Sequence, residues 1–187
     1  PWHLGFLLGP RINAGGRIGD AALGARLLLT DDEVEARTIA TELNRLNQER
    51  QEIERQAVLE AVSQAEHELA GMAEMPVLLA GSADWHPGIV GLVAARLKER
   101  FRRPAFALAL NGEGGATGSG RSVAGVDLGR AVRAAVEAGH AVKGGGHAMA
   151  AGVTLAAGQA SAFHAFLNDY LLREVTAVGD AEALLID

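Results

Sequence analysis

A helical pattern of about 40 residues constrains the fold of this chain more than any other feature. Thr30 followed by Glu33 is a capping-box signature, which predicts where the helix begins. A helix of this length spans about 60 Å, so it must connect two lobes or form half of a coiled coil. The apolar stripe is narrow and is interrupted by Arg50, which favours a connector. The stripe recurs mostly at helical spacing up to Gly71, through Ile39, Leu43, Leu46, Ile53, Val58, Val62 and Leu69.

The segments on either side of this helix differ in character. Residues 1–19 contain Gly9-Pro10 and Gly15-Gly16 as breakers, so we expect a loop-rich start. Asp20 is then expected to cap a short helix that ends at Leu29. After Pro76, strand and helix patterns alternate, which predicts an α/β domain. The strands are expected over 77–80, 105–110, 116–123 and 152–156, and the helices over 89–101, 127–138 and 160–172, followed by a polar tail.

Composition narrows the class of protein. No window approaches 18 uninterrupted apolar residues, which excludes a transmembrane helix. The first residues lack the basic region and cleavage site of a secretory signal, and cysteine is absent, so we expect a cytoplasmic protein without disulfides. The chain begins on proline and ends on an apolar run with strand character, which we interpret as the sign of a fragment.

The net charge of −6 is unevenly distributed. Residues 31–70 carry 11 acids and 4 arginines, whereas residues 76–155 carry 9 lysines and arginines and 5 acids. Acidic helices that solvate themselves explain the first segment. They do not explain why arginine clusters beside glycine in the second, which indicates an anionic partner such as nucleic acid.

The stretch from Gly144 to Gly152 is the clearest candidate site. Three consecutive glycines are costly inside a helix or strand, so we expect Gly144, Gly145 and Gly146 to form a turn. Such a turn exposes backbone N–H groups to a bulky anion, and His147 lies at its rim. The stretch therefore predicts a phosphate or other oxyanion site. The alternative is that His147 is an ordinary turn residue bonded to a backbone carbonyl.

Two further clusters combine glycine with donors suited to phosphate. One runs from Arg11 to Arg17 and contains Asn13; the other is Ser119-Gly120-Arg121. Ser119 and Arg121 are two residues apart on a predicted strand, so they share a face and could meet the same anion. Each cluster alone is a weak signal, and their combination is what favours a site.

Familiar catalytic patterns are missing from the sequence. There is no phosphate-binding P-loop, no HExxH zinc motif and no nucleophile elbow. Carboxylates outside the long helix are too sparse for a cluster that holds divalent metals. We therefore expect neither catalytic residues nor metal ligands in this chain.

These motifs, in this order, resemble the carboxy-terminal half of the catalytic core of the RecJ family of exonucleases, within the DHH phosphoesterase superfamily. The matching segments are 9–20, 28–31, 86–97, 118–122 and 144–152. The resemblance implies a DHHA1-type α/β domain with a mixed β-sheet flanked by helices. It implies four segments: the end of a DHH domain over 1–30, a connector helix over 31–75, the DHHA1 domain over 76–175, and a tail over 176–187. That tail would lead into an oligonucleotide-binding domain, with residues 183–187 as its first strand.

The resemblance also implies a function, hydrolysis of single-stranded DNA from its 5′ end. It assigns the 5′-phosphate to Ser119, Arg121 and one arginine of the first cluster, Arg11 or Arg17, with the choice left open. It adds Gly144, Gly145, Gly146, His147 and His86 as contacts with the strand, although His86 could equally cap or pack a helix. Mn²⁺ or Mg²⁺ would be bound by residues upstream, so the fragment would hold substrate and be inactive. One departure is Gly15-Gly16, where the family pattern has Ala-Gly, which would loosen a turn.

Two other functions fit these motifs. One is a related DHH–DHHA1 phosphodiesterase that acts on short oligonucleotides or cyclic dinucleotides. The other is a DHHA1 module that captures nucleic acid without catalysis. The long connector and the segment from Arg11 to Asn13 favour the exonuclease.

Overall fold

The structure is a computed structural model that describes residues 1–71 and 75–183. Its residues cluster into two compact units, 1–56 and 57–187, and the long helix runs through the boundary. The strand expected over 183–187 lies almost entirely outside the described residues. Within the described chain, every helix is too short or too polar to cross a lipid bilayer.

The first unit is helical from its start, so the expected loop over 1–19 is wrong. A π-helical segment, His3–Leu8, leads into α1, Gly9–Ile18, and then α2, Ala22–Leu29. Pro10 does not break α1 because it lies in the first turn, where a backbone N–H has no intrahelical acceptor. The expected loosening at Gly15 is also wrong, since a Cβ there would lie 2.6 Å from the Asp20 carbonyl oxygen.

The long helix α3, Glu33–Gly71, has 39 residues, which confirms the predicted element. Its cap differs from the expected one, because the Asp32 carboxylate, and not Thr30, accepts the N–H groups of Val34 and Glu35. Arg50, which interrupts the apolar stripe, is buried and pairs with Glu54. The other buried residues of this helix are Ile39, Leu43, Leu46, Asn47, Ala57, Ala61 and Ala65.

The second unit is an α/β domain built on five strands. The strands are β1, Leu78–Ser82; β2, Ala105–Leu110; β3, Ala116–Arg121; β4, Lys143–His147; and β5, Ala150–Leu155. The helices are α4, Val90–Phe101; α5, Leu128–Glu137; and α6, Ala160–Ala183. The order is β1-β2-β3-β5-β4, with β1 parallel to β2 and the other pairs antiparallel. The mixed sheet confirms the expected fold class.

The two faces of this sheet are covered differently. On one face, α5 and α6 bury a core that includes Phe106, Val153 and Phe163. On the other face, α4 packs its buried side against β2 and β3. Asp127 caps α5 by accepting the Arg130 N–H at 2.9 Å, as predicted. The predicted end of the last helix near Leu172 is wrong, since α6 continues to Ala183.

Glu68, on α3 within the second unit, has a poorly solvated carboxylate. Its Oε2 atom is buried without a hydrogen-bond partner in the described residues, although the carboxylate accepts the Leu79 N–H. Burial raises the pKa of Glu68, and the neighbouring His164 and His67 only partly oppose this effect. His164 donates from Nε2 to the Val77 carbonyl oxygen at 2.6 Å. Glu68 therefore lies at a junction of α3, β1 and α6 whose stability depends on pH.

The Glu68→Gln variant is expected to be more stable than the parent at pH 8. Because the folded-state pKa is raised above 4.5, the stability from neutral Glu68 is complete below that value and is lost as the pH rises through the raised pKa. Glutamine stays neutral, so we expect a melting temperature about 2–4 °C higher at pH 8, the shift produced by roughly 1 kcal/mol. The gain should vanish near pH 4.5.

Thermal unfolding followed by circular dichroism at several pH values measures this difference. Glu66→Gln is the matched control. Glu66 lies on α3, like Glu68, but it is exposed and pairs with Arg100 of α4. A stabilisation by Glu68→Gln that is the same at every pH would contradict the assignment.

Candidate nucleic-acid interface

Ser119 and Arg121 lie together on β3, as their spacing predicted. The Arg121 Nη1 group donates to the Ser119 hydroxyl oxygen at 2.7 Å and to the Gly120 carbonyl at 2.8 Å. Both side chains are half-buried, which limits their motion. A planar guanidinium beside a hydroxyl can offer several donors to one anion.

The first turn of α4 completes this cluster from a distant part of the sequence. A Cβ on Gly91 would lie 2.7 Å from Arg121 Nη2 and 3.2 Å from Ser119 Oγ, so the helix backbone touches both side chains. The N–H groups of a first helical turn have no intrahelical acceptors and carry partial positive charge. Gly91, Ser119 and Arg121 thus combine a helix start, a hydroxyl and a guanidinium, and we call them the end cluster.

His86 lies in the turn that precedes α4. Its Nδ1 atom accepts the Gly88 N–H at 3.0 Å, and its ring is exposed. His86 therefore bonds within the turn before α4 and does not cap the helix, and contact with a ligand stays a prediction. The neighbouring Trp85 is 5% exposed and donates to Glu60 Oε2 at 2.7 Å, so it packs and does not offer a face to a base.

The glycine stretch is a strand, not a turn, which corrects the sequence-based expectation. Gly144, Gly145 and Gly146 belong to β4, and the turn to β5 is formed by Ala148 and Met149. Glycine is required at two of these positions, despite its poor strand propensity, because a side chain would not fit there. A Cβ on Gly144 would lie 2.5 Å from the Val132 side chain, and Gly146 has φ +153°, which side chains disfavour.

The sheet face that bears Ser119 continues across β5 and β4 as an open surface. Directly paired residues point to the same side, so the register places Ser119, Gly152 and Gly145 in one row. A Cβ on Gly145 would meet nothing within 4 Å. We call this surface the glycine face, and it comprises Thr117, Ser119, Arg121, Ala150, Gly152, Thr154, Lys143, Gly145 and His147.

The glycine face has a cationic and polar border around a smooth centre. Arg121, Ala150 and His147 form the row on one side of the glycines, and His147 is exposed. Thr117, Thr154 and Lys143 form the row on the other side. None of its nine residues is acidic, although the whole chain carries a net charge of −6. The electrostatic character of this face is therefore opposite to that of the chain.

The two arginines of the first cluster belong to the other unit. Arg11, on α1, donates from Nε to the Asn44 side-chain oxygen at 3.0 Å and from Nη1 to the Leu7 carbonyl at 2.7 Å. Arg17 lies in the last turn of the same helix. The choice between Arg11 and Arg17 as a phosphate contact stays open.

Sequence reasoning missed four residues in and around this surface: Gly91, Thr117, Thr154 and Lys143. Gly91 lies 28 positions before Ser119, and nothing local shows that the two meet. Thr117, Thr154 and Lys143 are ordinary surface residues until the sheet register aligns them. The alternation of side chains on β3 was the one available signal, because it places Thr117 on the same face as Ser119.

The described residues do not fit a divalent-metal centre. Within residues 1–71 and 75–183, no three histidine or carboxylate side chains converge closely enough to hold an ion. The donors on the glycine face are hydroxyls, cations and one imidazole, which suit an anion instead.

Comparison with known proteins places this domain in a family. Residues 74–173 match the model of the DHHA1 domain. The single-stranded-DNA-specific exonuclease RecJ of Escherichia coli (strain K12) is 46% identical over 155 residues, which is 81% of this chain and 27% of that protein. RecJ of Thermus thermophilus is 37% identical over 171 residues, covering 91% of this chain and 24% of that protein.

Solved structures agree with this relationship. The crystal structure of Thermus thermophilus RecJ in complex with Mg²⁺ superposes with a TM-score of 0.80 at 35% identity, over 91% of this chain and 26% of that one. A manganese-bound exonuclease RecJ gives 0.78 at 34% identity, over 94% of this chain and 43% of that one. The chain thus spans about a quarter of the curated relatives that it matches. It belongs to the DHHA1 domain family, and over most of its length it is related to one segment of the RecJ exonucleases.

Proposed function

We propose that this chain is the substrate-holding part of a single-stranded-DNA 5′→3′ exonuclease, and that it binds the strand by its 5′-terminal phosphate. The observation that carries the proposal is the end cluster, in which Arg121 donates to Ser119 beside the first turn of α4. The relationship to RecJ exonucleases supplies the reaction class.

The end cluster suits a terminal phosphate better than an internal one. A terminal phosphate monoester carries about −1.5 to −2 charges near pH 7 and three free oxygens, whereas a phosphodiester carries a single charge. Arg121 offers a fork of donors, Ser119 a hydroxyl, and the start of α4 a partial positive charge. Each of these groups interacts more strongly with the doubly charged terminal phosphate than with a phosphodiester. The cluster therefore selects the 5′-phosphate and sets which bond is presented for hydrolysis.

Hydrolysis itself requires groups from outside the described residues. The related RecJ crystal structures contain Mg²⁺ or manganese, and such ions activate water in phosphodiester hydrolysis. Because the described residues provide no ligand set, this chain binds and orients substrate, and we expect no metal-dependent degradation of single-stranded DNA by it alone. Degradation by the purified chain would overturn that part of the proposal.

Arg121→Gln is expected to weaken binding of a 5′-phosphorylated strand by at least tenfold. Hydrogen bonds to charged groups contribute about 1.5–3 kcal/mol, which corresponds to a loss of roughly 10- to 150-fold. The affinity for a 5′-hydroxyl strand should fall only about two- to threefold, because that strand loses just the general attraction between Arg121 and its phosphodiester charges. Fluorescence anisotropy with 3′-labelled strands in EDTA measures both affinities without hydrolysis.

The matched control is Arg96→Gln, which removes an arginine from the exposed side of α4, where it pairs with Glu99. It should leave the ratio of the two affinities unchanged. Equal losses on phosphorylated and hydroxyl strands after Arg121→Gln would refute the end-binding role. Tighter binding of a cyclic dinucleotide than of a phosphorylated strand would favour the rival phosphodiesterase.

A further inference from the structure

We propose that Thr117, Thr154 and Lys143 form a second phosphate site, which binds an internal phosphodiester of a single strand lying across the glycine face. This inference rests on the proposed function, because the strand that it holds is the one whose end occupies the end cluster. We call these three residues the threonine–lysine row.

The sheet register aligns the three side chains. Thr117 on β3 pairs with Thr154 on β5, and Thr154 pairs with Lys143 on β4, so all three point to the side that bears Ser119. The row is four residues from Arg121 along β3, or about 13 Å, and it extends about 10 Å across the strands to Lys143. It therefore lies well beyond the reach of a phosphate held by Arg121.

Within residues 1–71 and 75–183, the side-chain donors of this row have no acceptor. The chain has six threonines, and four of their hydroxyls donate within the protein, those of Thr30, Thr38, Thr41 and Thr176. Thr117 and Thr154, which are cross-strand neighbours, make no such bond in the part of the chain that the structure describes. Lys143 likewise has no carboxylate partner there and is exposed. Three adjacent donors are thus available to an external acceptor.

The surface between the row and the end cluster fits a nucleic-acid strand. Gly145 and Gly152 provide a floor without side chains, and the space above Gly145 is open. The border carries cations and hydroxyls and no carboxylate, so it complements the evenly spaced charges of a polyanion. A protein partner would require apolar area at the centre of the contact, and glycines do not offer it.

The reach of the site predicts a dependence on strand length. The separation between Arg121 and Lys143 is about 16 Å, from the strand rise and the strand spacing. Two nucleotides extend only about 7 Å at the rise of a duplex strand, whereas ten extend about 34 Å. Only the longer strand can occupy both the end cluster and the threonine–lysine row.

The test compares Lys143→Gln and Lys98→Gln on 5′-phosphorylated oligothymidylates of about two and about ten nucleotides. Lys98, in the last turn of α4, is the only other lysine of the chain, so its variant has the same net charge. We expect Lys143→Gln to weaken binding of the long strand by about three- to tenfold. The slope of log K against log salt concentration should become shallower by about 0.7, the value for one phosphate of a single strand. The affinity for the short strand and the preference for a 5′-phosphate should not change.

A second variant tests the surface that Gly145 and Gly152 form without side chains. Gly145→Val adds a side chain where a Cβ meets nothing in the protein, so the melting temperature should hold while the long strand binds at least tenfold more weakly. The inference fails if Lys143→Gln and Lys98→Gln weaken binding of the long strand equally, or if Lys143→Gln weakens binding of the short and the long strand alike. An unchanged preference for the 5′-phosphate in Arg121→Gln would instead count against the proposed function, which keeps the two failures separate.

Discussion

Gly120→Ala is expected to lower the free energy of unfolding by about 3 kcal/mol, because its methyl group collides with the Phe106 ring. The added Cβ would lie 2.5 Å from Phe106 Cζ and 2.6 Å from Cε1. Phe106 is fully buried and packs edge-on against Phe163, with ring centroids 5.3 Å apart, so the ring has no space to retreat into. For a chain of this length the melting temperature should fall by about 6–12 °C.

Two further variants separate this packing clash from other effects of alanine. Gly112→Ala makes the same change in the turn after β2, where a Cβ meets nothing within 4 Å, and it should alter stability by less than about 0.5 kcal/mol. Shortening the ring in the Gly120→Ala/Phe106→Leu double variant should recover part of the loss, because it removes the atoms that collide. Chemical denaturation measures the parent, these three variants and Phe106→Leu alone, and a double variant that merely adds the losses of Gly120→Ala and Phe106→Leu would contradict the mechanism.

Gly91→Ala is expected to weaken binding of 5′-phosphorylated strands by about tenfold, and to do so without unfolding the protein. Its Cβ would lie 2.7 Å from Arg121 Nη2 and 3.2 Å from Ser119 Oγ, so both donors must move. The guanidinium is the end of a flexible side chain, so it moves at little cost to the fold. Alanine also favours helix over glycine by up to about 1 kcal/mol, so the melting temperature should stay the same or rise.

The effect of Gly91 on binding should act through Arg121. In the background of Arg121→Gln, the alanine at position 91 should therefore cause little further loss. Gly112→Ala serves again as the control for adding one methyl group. Anisotropy with phosphorylated and hydroxyl strands provides the test; an equal loss on both strands would show that Gly91 does not position the end cluster.

Elements with strong local signals were predicted well from the sequence. The strand over 105–110 has the predicted bounds, and Asp127 caps α5 because its side chain needs only the N–H three residues on. The long helix was equally clear, since its apolar period continues for many turns without a breaker.

Two errors arose where glycine or proline was expected to break a regular element. Pro10 and Gly15 predicted loops, yet α1 forms because the proline lies in its first turn and the glycine faces the Asp20 carbonyl. Gly144 and Gly146 predicted a turn, yet both lie in β4, where α5 and β5 leave no room for a Cβ. The first reason is local to the helix, whereas the second is a contact between elements that are separated along the chain.

The sequence alone determined the class of this protein and the pair at the centre of its candidate site. Helical and strand periods depend on each residue and its near neighbours, so the connector, the α/β domain and the shared face of Ser119 and Arg121 could be inferred from it. Only the tertiary structure decided what surrounds that pair. The strand order β3-β5-β4 aligns Ser119 with Gly152 and Gly145, and the packing of α4 brings Gly91 against Arg121, because pairing and packing join residues that no local rule connects.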